Sequence, residues 1–61
     1  MINILAVENN QKTASLIYSA LSDQSRYHLA VVESGYTAIE AIGLKKFELI
    51  IICLLYTSDA A

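Results

Sequence analysis

One cysteine, Cys53, stands alone in the 61 residues of this chain, so no intrachain disulfide can form. With a single histidine beside that single cysteine, no spacing exists that could hold a structural zinc ion. A short chain without such staples buries only roughly 60% of the surface its unfolded form exposes, and its core is marginal. Basic residues are also sparse. Four Lys and Arg against six Asp and Glu give a net charge of −2, spread thinly along the chain. Binding a phosphate backbone takes clustered cations, and no basic stripe is present, so nucleic acid is not expected as a direct ligand. Long apolar runs are missing too: the longest, residues 49–56, is far below the ~20 residues needed to cross a bilayer. The opening Met-Ile-Asn-Ile-Leu lacks a basic segment leading into an apolar one, so it does not have the form of a signal peptide. No membrane partner is expected, and the expected location is the cytoplasm.

What the chain has instead is apolar content, 56% of residues, with a mean hydropathy of +0.49. So apolar a small domain calls for a partner surface, and the simplest is the remainder of its own domain. The apolar residues follow two periods. Residues 1–7 form a continuous apolar run broken only by Asn3, which suits a strand covered on both faces. Glu8-Asn9-Asn10 ends it, and asparagine is a good helix cap because its side-chain oxygen takes a free amide of the first turn. Thr13, Leu16, Ile17, Ala20 and Leu21 then recur at helical spacing as one stripe. Polar residues 22–26 close that helix, and residues 27–32 (Tyr-His-Leu-Ala-Val-Val) are a second strand. Glu33-Ser34-Gly35 ends it, with Gly35 the least costly place for a turn of positive φ. A second helix has Ala38, Ala41, Ile42 and Lys45 as its inner spacing, weakened by Gly43. Residues 48–52 (Glu-Leu-Ile-Ile-Ile) are the strongest strand of all.

The order is therefore βαβαβ, an α/β chain. Such alternation implies a three-stranded parallel sheet with right-handed crossovers, strand order 2-1-3, and helices at about 10–22 and 36–46 on opposite faces. A sheet of this kind needs more strands, so the fold is expected to be incomplete.

Three stretches together resemble the receiver domains of bacterial response regulators. Ile4-Leu5-Ala6-Val7-Glu8-Asn9-Asn10 is similar to the first strand and acidic loop of that family. Glu33-Ser34-Gly35-Tyr36-Thr37-Ala38-Ile39-Glu40 is similar to its turn into the second helix, with a Gly-x-x-Ala-hydrophobic pattern. Phe47-Glu48-Leu49-Ile50-Ile51-Ile52 is similar to its third strand, which runs into the phosphoacceptor aspartate. The resemblance covers residues 1–52 and implies an incomplete flavodoxin-like fold, the N-terminal part of a receiver. It implies a signalling switch rather than an enzyme, with phosphoryl transfer from a histidine kinase or phosphotransfer protein to an aspartate, read by an output domain. It also implies Mg²⁺, which offsets the charge on the phosphoryl oxygens and prefers oxygen ligands. On this resemblance Glu8 and Asn9 are the candidate metal ligands, at the carboxyl edge where open α/β sheets place their sites.

The chain departs from the family at two points. Asn9 replaces one of two customary carboxylates, and its amide oxygen is neutral. Glu8 and Asn9 also have a plainer reading as a polar loop and helix cap. Cys53 occupies the acceptor position, where a lone cysteine ending an apolar strand usually serves as a small hydrophobe. Residues 53–61 (Cys-Leu-Leu-Tyr-Thr-Ser-Asp-Ala-Ala) resemble the in-frame translation of a sequencing-library adapter, a non-native tail. His28 lies within the second strand, with no titratable neighbour visible in the sequence. Tyr18, Tyr27, Tyr36 and Tyr56 are too dispersed to form a stacking platform, and Lys45-Lys46 suit the negative end of the second helix.

Two other functions compete with the phosphorylated switch. A pseudo-receiver would have the fold and interact with partners without phosphorylation, as Asn9 suggests. A nucleotide- or cofactor-binding enzyme would need glycines after the first strand to let backbone approach a pyrophosphate. That loop reads Glu-Asn-Asn-Gln-Lys, with none.

Overall fold

A strand with consecutive apolar residues needs both of its faces covered, and the middle of β1 (Ile2–Val7) meets that condition. Successive side chains point to opposite faces, yet Ile4, Leu5 and Ala6 are all buried, at 2%, 0% and 0% exposure. The computed structural model describes residues 1–53. In it β1 is followed by α1 (Gln11–Ala20), β2 (Tyr27–Val32), α2 (Gly35–Leu44) and β3 (Leu49–Ile52). The three strands form one parallel sheet in the order β2-β1-β3. β1 pairs with β2 from Ile2↔Tyr27 to Val7↔Val32, and with β3 from Ile4↔Leu49 to Val7↔Ile52. The α/β character, the central β1 and the 2-1-3 order expected from the sequence are all present. The tail reading falls, beyond Cys53, on residues 54–61, which lie outside the described residues, as does Tyr56.

Local chemistry sets the element ends. Asn10 caps α1: its Oδ1 accepts the amides of Lys12 at 2.9 Å and Thr13 at 3.2 Å. Beyond α1, Asp23 organises the turn, its backbone oxygen accepting the amides of Arg26 at 3.0 Å and Tyr27 at 2.9 Å. The exposed Arg26–Asp23 ion pair at 3.7 Å adds little, because solvent screens it. Ser34 caps α2 through a reciprocal arrangement: Ser34 Oγ accepts the Thr37 amide at 3.3 Å, and Thr37 Oγ1 accepts the Ser34 amide at 3.2 Å. Gly35 is therefore the first helical residue, and no described residue has positive φ. The change of direction expected at Gly35 is made by extended backbone at Ser34, φ −143°. Glu48 joins β3 to β1 twice, its amide donating to Asn3 O at 2.8 Å and its Oε1 accepting the Asn3 amide at 2.6 Å.

The helices cover the sheet unevenly. Of the expected α1 stripe, Thr13, Ile17 and Leu21 are half-buried, whereas Leu16 is 69% exposed and Ala20 is exposed. A sheet of three strands is narrow, and α1 is covered mainly along its i, i+4, i+8 row, with Ala14 half-buried beside it. In α2 Ala38 is buried and Ala41 half-buried, while Ile42 and Lys45 are exposed. α2 ends at Leu44 with Lys45 as its cap, two residues short of the expected boundary. α1 joins β1 to β2, and α2 leads from β2 past the central β1 to β3. The buried apolar set is small: Ile4, Leu5, Ala6 and Ala38. No helix among the described residues is long and apolar enough to cross a membrane.

Two substitutions measure how thin this core is. Leu5→Ala should cost about 2–5 kcal/mol, enough to unfold a marginal domain. Gly43→Ala should stabilise by about 0.5–1 kcal/mol, since a Cβ there meets no atom within 4 Å. Urea titrations followed by circular dichroism check both; equal midpoints for the two variants would contradict this account of the core.

Candidate functional site

Parallel strands end on the same edge, so the residues that follow β1 and β3 are brought side by side. Glu8 follows β1, tied down by its amide, which donates to Val32 O at 2.9 Å. Cys53 follows β3, tied down by its amide, which donates to Val7 O at 3.1 Å. The two positions singled out in the sequence, 45 residues apart by number, thus meet at the carboxyl edge of the sheet.

Glu8 is the one buried charged residue among those described, with 3% exposure. Its Oε2 accepts the Asn10 amide at 3.0 Å. Its Oε1 is buried and has no hydrogen-bond partner among the described residues. A buried carboxylate oxygen left without a donor costs about 1–3 kcal/mol or more, which marks this atom as the unsatisfied point of the site. Part of the plainer reading also holds, because Glu8 supports the loop through Asn10, the residue that caps α1.

Asn9 does not join Glu8. It is exposed and lines a shallow hollow with Val31, Val32, Glu33, Ser34 and Thr37, at the amino end of α2. Ser34 and Thr37, whose reciprocal capping shapes that hollow, were not singled out in the sequence. Their Ser-x-x-Thr spacing was the available signal, with threonine standing where a capping box usually has Glu or Gln.

The half-buried Cys53 thiol feels Glu8 directly. Its pKa is pushed up first by the hydrogen bond it offers the Glu8 side chain, then by desolvation, then by repulsion between thiolate and carboxylate. That bond is incomplete, since Glu8 Oε1 has no donor in bonding geometry; the upward direction follows from the neighbouring carboxylate in either case. A raised pKa keeps the thiol protonated at neutral pH and makes it a poor nucleophile.

The opposite edge corrects one expectation. His28 does have a titratable neighbour: Lys45 Nζ lies 2.6 Å from its Nδ1, and Asn3 Oδ1 lies 3.3 Å away. Lys45 also sits over the Phe47 ring, 5.8 Å from its centroid. The lysine expected to serve the end of α2 is instead the cap residue, and its side chain reaches back across β2.

As they stand, the donors at the carboxyl edge do not make a Mg²⁺ site. One carboxylate, one neutral and separate amide and one soft thiol fall short of the hard oxygen set this ion requires. No group of three or more His, Cys, Asp or Glu converges among the described residues. Among the described residues of this edge, the orphaned Glu8 Oε1 is the feature suited to a cation. The chain matches no protein-family model, no curated protein and no solved structure.

The Glu8–Cys53 contact has a direct readout, because there is only one thiol. The rate of iodoacetamide alkylation should rise with pH through a midpoint above the ordinary thiol value of about 8.5. Glu8→Gln removes the charge, leaves only a neutral amide oxygen as acceptor, and should bring that midpoint down. An unchanged midpoint would show that the two side chains do not interact.

Proposed function

We propose that residues 1–52 are the N-terminal part of a response-regulator receiver domain of flavodoxin-like fold, joined to a non-native tail at 53–61. The parent protein is a signalling switch, not an enzyme. It accepts a phosphoryl group from a histidine kinase or phosphotransfer protein and passes the change of state to an output domain, in the cytoplasm. The observation that carries this reading is the placement of Glu8 beside position 53. An acceptor at the end of β3 needs an acid at the end of β1 within reach, so that a cation can serve both, and β1 is central with β3 as its direct neighbour. The unpartnered Glu8 Oε1 supports it further, being a buried oxygen without a donor of its own.

Cys53 departs from the acceptor chemistry, and this chain therefore transfers nothing by itself. A thiol with a raised pKa, in a site without a matched cation, has neither the charge nor the geometry to take a phosphoryl group. With aspartate at that position, Mg²⁺ would supply neutralisation of the phosphoryl oxygens. Glu8 would hold it, its chain anchored by Val32 and Asn10. A pseudo-receiver is the second reading, favoured by the exposed, neutral Asn9. The glycine-free loop between β1 and α1 speaks against a nucleotide-binding enzyme.

Acyl-phosphate labelling of a rebuilt domain tests the proposal. Cys53→Asp in the 61-residue chain alone should not label, because the resemblance puts a further hydroxyl and a lysine in later strands. A complete domain with aspartate at 53 should label in a Mg²⁺-dependent way, and Glu8→Ala should slow it by roughly 100-fold or more, as losses of positioned charge do. Labelling that ignores both Mg²⁺ and Glu8 would make Glu8 a loop residue. Failure to label at all would favour the pseudo-receiver.

A further inference from the structure

At the amino ends of β1 and β2 the fold assembles a second group of reactive side chains, away from Glu8 and Cys53. Asn3 and His28 are register partners on adjacent parallel strands, so their side chains share a face of the sheet. Asn3 Oδ1 lies 3.3 Å from His28 Nδ1. From the C-terminal cap of α2, Lys45 brings its Nζ to 2.6 Å from the same nitrogen, and that ammonium sits 5.8 Å from the centroid of the Phe47 ring. An ammonium only donates, so the Lys45 contact requires a lone pair on Nδ1 and puts the ring proton on Nε2. In the other tautomer Nδ1 donates to Asn3 Oδ1 and the lone pair is on Nε2. Either way one ring nitrogen carries the lone pair a nucleophile needs. His28 is exposed. It also lines an open hollow with Tyr18, Leu21 and Leu29, an apolar seat beside the ring for the body of a reagent.

We propose that His28 and Lys45 form an acyl-transfer pair, through which Lys45 is acylated at its Nζ by activated esters and thioesters. The need for two residues follows from protonation. Lysine amines are mostly ammonium at neutral pH and attack esters slowly, whereas imidazoles are mostly neutral there. Imidazole also forms covalent acyl intermediates. In the first step a ring nitrogen of His28 attacks the acyl carbon. The C–N bond forms, the C–O or C–S bond to the leaving group breaks, and the ring proton passes to water. In the second step the Lys45 amine, its ammonium proton lost to water, attacks the acyl-imidazole. The amide bond forms, the bond from imidazole to the acyl carbon breaks, and an amine proton returns to the ring, which leaves neutral His28. Holding the amine in contact with the acyl carrier raises its effective concentration, so a small fraction of free amine suffices. Lys46 is the internal control: it is the next residue, it too is exposed, and it makes no hydrogen bond to the ring among the described residues. The pair is independent of the receiver reading, since neither residue belongs to the carboxyl edge of the sheet.

The test exposes the 61-residue chain, with Cys53 capped by iodoacetamide, to p-nitrophenyl acetate at neutral pH. Acetyl groups on Lys12, Lys45 and Lys46 are then counted over time by mass spectrometry. Lys45 should be acetylated roughly tenfold or more faster than Lys46. His28→Gln keeps a side-chain acceptor for the ammonium and removes the nucleophile, so it should bring Lys45 down to the rate of Lys46. Lys45→Arg keeps the nucleophile and removes the acceptor amine, so p-nitrophenolate release should stay above that of His28→Gln, through an acetyl-imidazole that hydroxylamine discharges. Equal labelling of Lys45 and Lys46, a preference for Lys45 that survives His28→Gln, or release by Lys45→Arg no faster than by His28→Gln would each overturn the proposal. Should His28→Gln disturb the circular dichroism, the unmodified chain in urea decides instead. Unfolding separates the pair, so the preference for Lys45 must disappear there, and its persistence overturns the pairing.

Discussion

The structure depends on β1 being held on all four sides. Its backbone is hydrogen-bonded to β2 along one edge and to β3 along the other. Its side chains Ile4, Leu5 and Ala6 are buried to both faces. A backbone with all its polar groups paired can enter an apolar interior without the desolvation cost that unpaired amides carry. The other elements are placed by their relation to this strand: β2 and β3 by pairing with it, α1 by joining it to β2, and α2 by leading past it from β2 to β3.

What surrounds β1 is correspondingly incomplete. Three strands leave one central position, so β2 and β3 are both margins, and two helices cannot cover two faces. This is why large apolar side chains such as Leu16, Ile39 and Leu44 remain exposed while the buried set is confined to β1 and one alanine of α2. Stability therefore comes from a few residues of β1, from the helix caps at Asn10 and Ser34, and from the Glu48–Asn3 exchange that fixes the start of β3.

The same central strand creates the site. A chain leaving β1 at Val7 comes out at the carboxyl edge, between the ends of its two neighbours. Glu8 is held there with one oxygen in use and one without a partner. In this chain the nearest group across the edge is a thiol, and the carboxylate acts on it by holding its proton in place. The geometry suits an acid and an acceptor sharing a cation, while the side chain present at position 53 suits neither role.

Element types and order were legible in the sequence, because unbroken apolar runs and a 3.6-residue stripe have different periods and asparagine announces a helix start. Strand order followed from the handedness of crossovers, a property of L-residues in general rather than of this chain. The nomination of Glu8, Asn9 and position 53 came from resemblance, and their placement needed the fold. Only pairing of β3 with β1 brings residues 8 and 53 together, buries Glu8 and leaves Asn9 outside. Equally, only the return of α2 across β2 brings Lys45 to His28. Local periodicity also overstated the inner face of α1, since a stripe records which residues could be buried, and the width of the sheet decides which are. Residue spacing determines local conformation, whereas contact between distant residues depends on how much surface each element finds opposite itself, and that is settled by tertiary structure alone.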